Sequence, residues 1–398
     1  MEEWGKSGIL KCPFLPSRPP ICADLMAADV PILFVPVGSN DAQAFGMRAR
    51  ERACRLAANA GFECGDEPEP GRAALVASLA YAYDPAWLTA IAKRPRALLT
   101  LNGKVVMAHV PEDGDPRLVI EELESGRTVE GYEKLDAETA KVWSDRSGKR
   151  ERPFVLPFDA AHSEPVERAA YDAASTGVRD LLTLYLWRAP AFYLTRWAAR
   201  SGLSPNVVAC VGAIFCVLAF LLFWRAQYWW GVVASFIFMV LDTVDGKLAR
   251  VTVTSSKWGE ILDHGIDLIH PPFWYWAWEH GLAAYGRPLE PITATMLLWA
   301  IIGGYVAQRI IEGLFINRFN GMRIHLWKRI DSEFQLVAAR RNPNMIILLA
   351  SLLFLRPDVG LELVGCWTIA SLIFHAVRLA QASEQAARGQ PIVSWLDA

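Results

Sequence analysis

The sequence predicts an all-α polytopic membrane domain of six transmembrane helices, preceded by an interfacial helix and by an N-terminal α/β cytoplasmic domain. The first observation behind this fold class is a sharp division in composition. The 398-residue chain is mixed and charged up to about residue 170, and from about residue 181 it becomes long apolar runs separated by basic patches. The other two observations are the number of those runs and an alternation of strand-like and helix-like patterns upstream.

The apolar runs after residue 204 are six in number. They lie near residues 206–224, 227–246, 261–281, 293–315, 344–356 and 360–381. A helix needs about 20 residues to cross a hydrocarbon core of roughly 30 Å, and five segments suffice. The fifth, NMIILLASLLFLRP, is short, so it must begin earlier, tilt or lie in thinned bilayer. Trp274, Trp276 and Trp278 are expected in the outer aromatic belt.

Basic residues are concentrated in the loop between the fourth and fifth segments. That loop carries Arg318, Arg323, Lys328, Arg329, Arg340 and Arg341. The loops that follow the first, third and fifth segments hold only Arg225, Arg287 and Arg356. Loops rich in Lys and Arg face the cytoplasm, so both termini are expected on the cytoplasmic side of an inner membrane.

The stretch RDLLTLYLWRAPAFYLTRWAARSGLSPN precedes the first apolar segment. Its Leu, Tyr and Phe residues recur at helical spacing among arginines, which predicts a helix along the inner leaflet. An ordinary soluble amphipathic helix is the alternative. The predicted domains are therefore residues 1–158 (α/β, cytoplasmic), 159–204 (linker and interfacial helix) and 205–398 (membrane).

The N-terminal region alternates between two kinds of pattern. DVPILFVPVGSN and AALVASLAYAYDP are typical of buried strands, whereas AFGMRARERACRLAANAGF and PAWLTAIAKR are typical of helices. ALLTLNGKVVMAHV predicts a hairpin around Asn102-Gly103. This order favours an α/β sandwich up to about residue 158.

Charge and cysteine content exclude some classes of protein. The net charge is −2, so no overall basic field indicates a nucleic-acid partner. The seven cysteines form no CxxC pair and have no His at zinc-site spacing. We expect the thiols to be reduced.

Four aspartates lie beside the second and third apolar segments, in DTVDGKLARVTVTSSKWGEILDHGID. On helices, Asp242 and Asp245 share one face, and Asp263 and Asp267 share another. Four carboxylates brought together at low dielectric need neutralisation. All-oxygen ligation suits Mg²⁺ or Mn²⁺, and paired acidic faces suit a two-metal site that clamps a phosphoanhydride. The alternative interpretation is that these aspartates only cap helix ends that are exposed to solvent.

The spacing D-x2-D-G-x2-A-R-x8-G-x3-D-x3-D resembles the signature of the CDP-alcohol phosphotransferase family. Its positions are Asp242, Asp245, Gly246, Ala249, Arg250, Gly259, Asp263 and Asp267, and SGLSPNVVA resembles the family's entry to its first span. The resemblance covers about residues 180–381. It implies a six-helix membrane fold, a homodimer, and transfer of a phosphoalcohol group from a CDP-linked donor to an acceptor hydroxyl with release of CMP.

The resemblance also implies roles for single residues. Asp242, Asp245 and Asp263 would be metal ligands, and Asp267 would contact the second metal and act as the catalytic base. The donor CDP-alcohol would bind at Asp242, Asp245, Gly246, Ala249, Arg250 and Gly259. Arg309, inside the fourth apolar segment, is the leading candidate for an acceptor phosphate, with Arg318 and Lys257 as further candidates. Arg340-Arg341 would help it, or these arginines would serve positive-inside topology and lipid headgroups.

The sequence does not identify the substrates, nor does it decide whether the protein has a second activity. The donor is CDP-diacylglycerol or another CDP-alcohol, and the acceptor is a polyol, a polyol phosphate or a lipid alcohol. A cation transporter is the competing class, but its charges belong near mid-membrane rather than at one edge. The N-terminal domain loosely resembles a sugar-phosphate nucleotidyltransferase. It lacks that family's Gly-rich loop, Lys and strand-end acid, so we expect a degenerate domain; a bifunctional enzyme that makes its own CDP-alcohol is the alternative.

Overall fold

The N-terminal region is built on a mixed β-sheet. The computed structural model describes residues 32–125, 127, 129–144, 151–175, 180–255 and 257–396, without the side chains of residues 257, 258 and 260–264. The strands are β1 Leu33–Val37, β2 Gln43–Ala44, β3 Met47–Arg48, β4 Glu63–Cys64, β5 Ala74–Ser78, β6 Tyr81–Tyr83, β7 Ala97–Leu101, β8 Lys104–Val110, β9 Glu133–Asp136 and β10 Val155–Pro157. Six of them form one sheet in the order β4-β1-β5-β8-β7-β9.

Helices cover both faces of this sheet. They are α1 Ala49–Asn59, α2 Pro85–Ala92 and α3 Pro116–Ser125. Alternate side chains along the strands separate the two cores: Phe34 packs with α1 and α2, whereas Val35 packs with Val119 of α3. The predicted α/β region is confirmed, and so is its hairpin. Asn102 and Gly103 have φ of 51° and 77°, the left-handed values that a two-residue turn needs.

The expectation of reduced thiols is wrong for one pair, because Cys54 and Cys64 form a disulfide. Gly61 has φ of +91° and turns the chain back after α1. β4 therefore returns beside that helix, with the two cysteine Cα atoms 5.5 Å apart. The spacing of the cysteines does not predict that the chain turns back after α1, because this turn depends on the pairing of β4 with β1.

The rest of the chain is helical. Its helices are α4 Ser163–Ala173, α5 Leu181–Tyr185, α6 Arg188–Arg200, α7 Pro205–Trp224, α8 Tyr228–Val251, α9 Lys257–Tyr285, α10 Pro291–Leu298, α11 Gly304–Arg318, α12 Arg329–Gln335, α13 Arg341–Leu353 and α14 Pro357–Ala387. A π-helical turn, Trp299–Gly303, joins α10 to α11. Among the described residues, three stretches are long and apolar enough to cross a membrane: 205–224, 291–318 and 357–387. The other three predicted segments fold as α8, α9 and α13.

Two of the three tryptophans expected in an aromatic belt are buried instead. Trp274 and Trp278 are at most 1% exposed. Their indole N–H groups donate to the carbonyls of Cys216 and Pro357, at 3.1 and 3.0 Å. Only Trp276, on the other side of α9, is exposed. Residues four apart share a helix face, so this pair lies in the helix-packing core.

The N-terminal unit is joined to the helical part through Glu167 of α4. This side chain is 0% exposed, accepts the N–H of Phe45 at 2.8 Å and pairs with Arg196 at 2.6 Å and Arg200 at 3.3 Å. One carboxylate thus ties the β2–β3 hairpin to α6. A shared apolar cluster surrounds it, with contributions from Phe45, α4, α6, α7 and α8.

We expect Glu167→Ala to destabilise the protein by about 3–5 kcal/mol, because it removes the fully buried carboxylate that pairs with Arg196, whose side chain is 20% exposed. Thermal unfolding of the purified protein in detergent measures the change. Glu164→Ala is the comparison on the same helix, since Glu164 is half exposed, pairs with Arg168 at 2.7 Å and reaches Arg196 only at 3.5 Å. An equal loss of stability in the two variants would show that the buried Glu167 carboxylate stabilises the protein no more than the exposed Glu164 does.

Candidate functional site

The acidic residues lie in the second half of α8 and the first half of α9. The Asp242 side chain is 15% exposed, and Asp245, three residues on, is buried. The Asp267 side chain, on α9, is 46% exposed. The side chain of Asp263 lies outside the described residues. Asp242 and Asp267 thus come from two separate helices, and one cation contacts both.

A cation from a third helix lies between two of these acids. Arg341, at the start of α13, donates from Nη2 to Asp242 at 2.7 Å and from Nη1 to Asp267 at 2.6 Å. Its own side chain is only 15% exposed, and its guanidinium lies 5.1 Å from the centre of the Phe238 ring. Sequence reasoning had placed this arginine only beside a possible acceptor phosphate. An ionisable residue at the start of a short apolar segment was the available signal.

The donor set fits a hard divalent cation. Because one guanidinium touches Asp242 and Asp267 together, oxygens from two helices face the same small volume. Carboxylate oxygens are the ligands that Mg²⁺ and Mn²⁺ prefer. No group of three or more acidic, His or Cys side chains forms a metal cluster among the described ones, which do not include the side chain of Asp263.

The middle of the signature lies on the last turns of α8. A Cβ at Gly246 would stand 3.2 Å from Nη2 of Arg250, so glycine leaves room for that guanidinium against the helix. Arg250 donates from Nε to the carbonyl of Ala174 at 2.7 Å. The carbonyl of Ala249 accepts the N–H of Thr254 at 2.9 Å and so ends the helix. Gly259 is half-buried in the first turn of α9.

The C-terminal end of α4 reaches this part of the signature. Lys247 is 2% exposed. Its Nζ donates to the carbonyl of Tyr171 and to Ser175 Oγ, and lies 4.2 Å from the centre of the Tyr171 ring. Cations are favoured at the carbonyl end of a helix. The end of α4, which links the α/β region to the helical region, thus helps to hold the residues that follow Asp245 in place.

A second cluster of charged side chains, on α11 and just before α13, lies next to the acidic residues. Glu312 accepts from Arg309 at 2.9 Å and from Arg340 at 2.7 Å. The Tyr305 hydroxyl, on the same helix α11, donates to the carbonyl of Asp267 at 3.3 Å and so connects the two clusters. Burial, with the charge of Arg340 adding to it, lowers the pKa of nearby His325 to about 3, so that ring is neutral at physiological pH. Sequence reasoning missed Tyr305 and His325.

Two of the three predicted acceptor residues, Arg309 and Arg318, lie apart. Arg309 is part of the buried Glu312 cluster. Arg318, nine positions later, is exposed at the end of α11, about 13 Å further along the helix axis. The side chain of Lys257 lies outside the described residues. Only Arg309 is therefore seen beside the acidic site.

Together these features define a class: an integral membrane protein with a carboxylate site between its helices. Residues 203–379, which contain α7 to α13 and most of α14, match the family model described as CDP-alcohol phosphatidyltransferase. This segment is therefore similar to CDP-alcohol phosphatidyltransferases.

The chain is also similar to curated proteins. Over 113 residues the chain is 33% identical to phosphatidylinositol phosphate synthase of Streptomyces avermitilis, covering 27% of this chain and 45% of the relative. Over 131 residues it is 31% identical to cholinephosphotransferase 1 of Homo sapiens, covering 31% of this chain and 32% of the relative. The matched part of the chain thus spans less than half the length of either relative.

The chain also aligns with solved structures. The crystal structure of Mycobacterium tuberculosis phosphatidylinositol phosphate synthase with CDP-DAG bound aligns at 20% identity and a TM-score of 0.36. The alignment covers 48% of this chain and 92% of that chain.

Proposed function

We propose that this protein transfers a phosphoalcohol group, by default phosphatidyl, from a CDP-linked donor to an acceptor hydroxyl and releases CMP, in phospholipid or polar-lipid synthesis. One observation carries the proposal. The acids at the two ends of the signature, Asp242 and Asp267, converge on one cation from separate helices, inside the segment that matches the family.

Asp242, Asp245, Asp263 and Asp267 would hold Mg²⁺ or Mn²⁺. When bound, such ions neutralise the carboxylates and clamp the donor's pyrophosphate. Asp267, whose side chain is 46% exposed, takes the proton of the acceptor hydroxyl. The hydroxyl oxygen forms a bond to the β-phosphorus, the anhydride bond breaks, and CMP leaves with the bridging oxygen. Arg250 and the surface left open at Gly246 contribute to donor binding beside these acids, with Ala249 and Gly259.

The acceptor binds, in this proposal, between Asp267 and the Glu312 cluster. Arg309 is the first candidate for an acceptor phosphate, because it is buried beside Tyr305, which contacts the Asp267 backbone. Two guanidiniums share the one Glu312 carboxylate, so the trio keeps one net positive charge. Arg318 and Lys257 stay further candidates. The acceptor is a polyol, a polyol phosphate or a lipid alcohol.

The membrane arrangement belongs to the same proposal. Besides the three apolar stretches, helices α8, α9 and α13 would complete six spans in an inner membrane, with both termini cytoplasmic. The interfacial helix is represented by α5 and α6, where Tyr185, Tyr193 and Trp197 are more than half exposed. Aromatic side chains beside arginines suit the headgroup region. A homodimer is proposed from the family resemblance alone.

The test is release of CMP by the purified protein, supplied with Mg²⁺ or Mn²⁺ and a panel of donors and acceptors. CDP-diacylglycerol with inositol phosphate, glycerol phosphate or another polyol is compared with a soluble CDP-alcohol and a lipid acceptor. We expect release that needs both the metal and one acceptor. Divalent-cation uptake into vesicles without CMP release would favour the transporter instead.

The N-terminal region is proposed to be a degenerate nucleotidyltransferase-like domain with a scaffolding or regulatory role. Asp84, the first acid after β5, is 1% exposed and accepts the N–H of Ala86 at 2.8 Å, so it caps α2. A cavity of about 360 Å³ lies at the carboxyl ends of β1 and β5, and its charged lining residues are Lys104 and Glu124. Triphosphate transfer needs several cationic groups and a carboxylate-held metal.

We therefore expect the full-length protein to release no pyrophosphate from CTP or another NTP with any sugar or polyol phosphate. A coupled pyrophosphate assay with Mg²⁺ measures this, and the CMP-releasing activity of the same sample is the control for its integrity. Metal-dependent pyrophosphate release would contradict the expectation and make the protein a bifunctional enzyme that forms its own CDP-alcohol.

A further inference from the structure

Arg341 contacts two aspartates that are also proposed metal ligands, so the inference rests on the proposed function. Its guanidinium donates to Asp242 and Asp267 through separate nitrogens, at 2.7 and 2.6 Å. Both contacts are charge-assisted, the stronger kind of hydrogen bond. Asp242 and Arg341 are each 15% exposed, so water screens their pair only partly.

A carboxylate oxygen that accepts from a guanidinium is not free to coordinate an ion along the same direction. A divalent cation that coordinates Asp242 Oδ2 or Asp267 Oδ1 from that direction must therefore break the contact of that oxygen with Arg341. The positive charge of Arg341 also repels an ion placed between the same acids. Each effect lowers the affinity of the site for metal.

We infer that Arg341 competes with the divalent cation for Asp242 and Asp267, and so sets the metal affinity of the site. The guanidinium keeps acids from α8 and α9 together, and the ion displaces it from at least one of them. Arg341 is thus a positioning residue for the acids and a specificity-determining residue for cation binding.

The neighbouring residue serves the second charge cluster instead. Arg340 donates to Glu312 at 2.7 Å, and Glu312 also accepts from Arg309. Arg340 therefore provides a matched control for Arg341.

The experiment measures Mn²⁺ binding to metal-depleted full-length protein by electron paramagnetic resonance, with no substrate present. We expect Arg341→Gln to bind Mn²⁺ about tenfold more tightly or better, since charge-assisted contacts no longer have to be broken. The increase in melting temperature that Mn²⁺ causes should also be larger in this variant than in the native protein. Arg341→Lys keeps the charge without the two-pronged geometry and should fall between them.

Two controls fix the interpretation. Arg340→Gln removes the adjacent guanidinium, which contacts Glu312 instead of the aspartates, and should change Mn²⁺ affinity far less. Asp242→Asn should weaken the binding and so shows that the signal reports this site. Unchanged or weaker binding in Arg341→Gln, with normal binding by the native protein, overturns the competition and leaves the proposed function intact. No Mn²⁺ binding by the native protein overturns both.

Discussion

Asp267→Asn is expected to lower group transfer by about 10²–10⁴-fold, the range that a positioned general base contributes. Asn keeps the shape of the side chain and can still accept a hydrogen bond from Arg341, but it cannot take the acceptor's proton. Two ligands of the first metal, Asp242 and Asp245, are untouched. Single-turnover release of CMP measures the loss, and Mn²⁺ and donor binding measured on the same variant should be largely retained.

The matched comparison is Asp242→Asn, at the other acid that Arg341 contacts. This substitution should weaken metal affinity itself, because Asp242 is a proposed ligand of the first metal, whereas Asp267 contacts only the second. Loss of turnover with metal binding retained would assign the base role to Asp267, and loss of metal affinity would assign Asp242 to the first metal. Near-normal turnover by Asp267→Asn would show that the base assignment is wrong.

Gly281→Ala is expected to destabilise the helical bundle by about 3 kcal/mol or more, the upper part of the range for overpacked sites. Gly281 lies on α9 against the turn between α7 and α8. A Cβ there would stand 2.3 Å from the carbonyl oxygen of Phe223 and 2.9 Å from the Tyr228 hydroxyl. The first of these atoms is backbone and cannot rotate away. Tyr228 also donates to the carbonyl of Trp278 at 2.6 Å, so relief of the clash costs that hydrogen bond.

Thermal unfolding in detergent measures this effect. Gly265→Ala is the control on the same helix, since a Cβ at Gly265 would meet nothing within 4 Å. Alanine is also the better helix former, so the control should leave stability unchanged or slightly higher. Equal melting temperatures for the two variants would mean that α9 does not approach the α7–α8 turn as closely as the structure shows.

The local parts of the site follow from spacing. Asp242 and Asp245, three apart, needed only a helix to share a face, and α8 supplies it. The Asn102-Gly103 turn was predicted in the same way and is confirmed. Ser204 caps α7 through an equally local contact, in which its hydroxyl accepts the N–H of Val207. In each case the relevant atoms lie within a few residues along the chain.

The parts that sequence reasoning missed depend on contacts between distant segments. Arg341 meets Asp242 across 99 positions, and Glu312 meets Arg340 across 28. Nothing in the local pattern selects Arg341 over its neighbours as the partner of the acids. The burial of Trp274 and Trp278 is of the same kind, since their carbonyl partners come from α7 and α14. These pairs depend on how the helices pack against one another, which cannot be predicted from a single sequence.

The central claim is group transfer from a CDP-linked donor, and the most direct measurement counts both products of one reaction. Purified full-length protein in lipid nanodiscs is supplied with CDP-diacylglycerol, Mn²⁺ and the best acceptor from the panel, and CMP and lipid are quantified by mass spectrometry. We predict equal amounts of CMP and one new phosphodiester lipid, with neither formed when the metal or the acceptor is omitted. A folded protein that binds Mn²⁺ but forms neither product with any donor and acceptor of the panel would contradict the account.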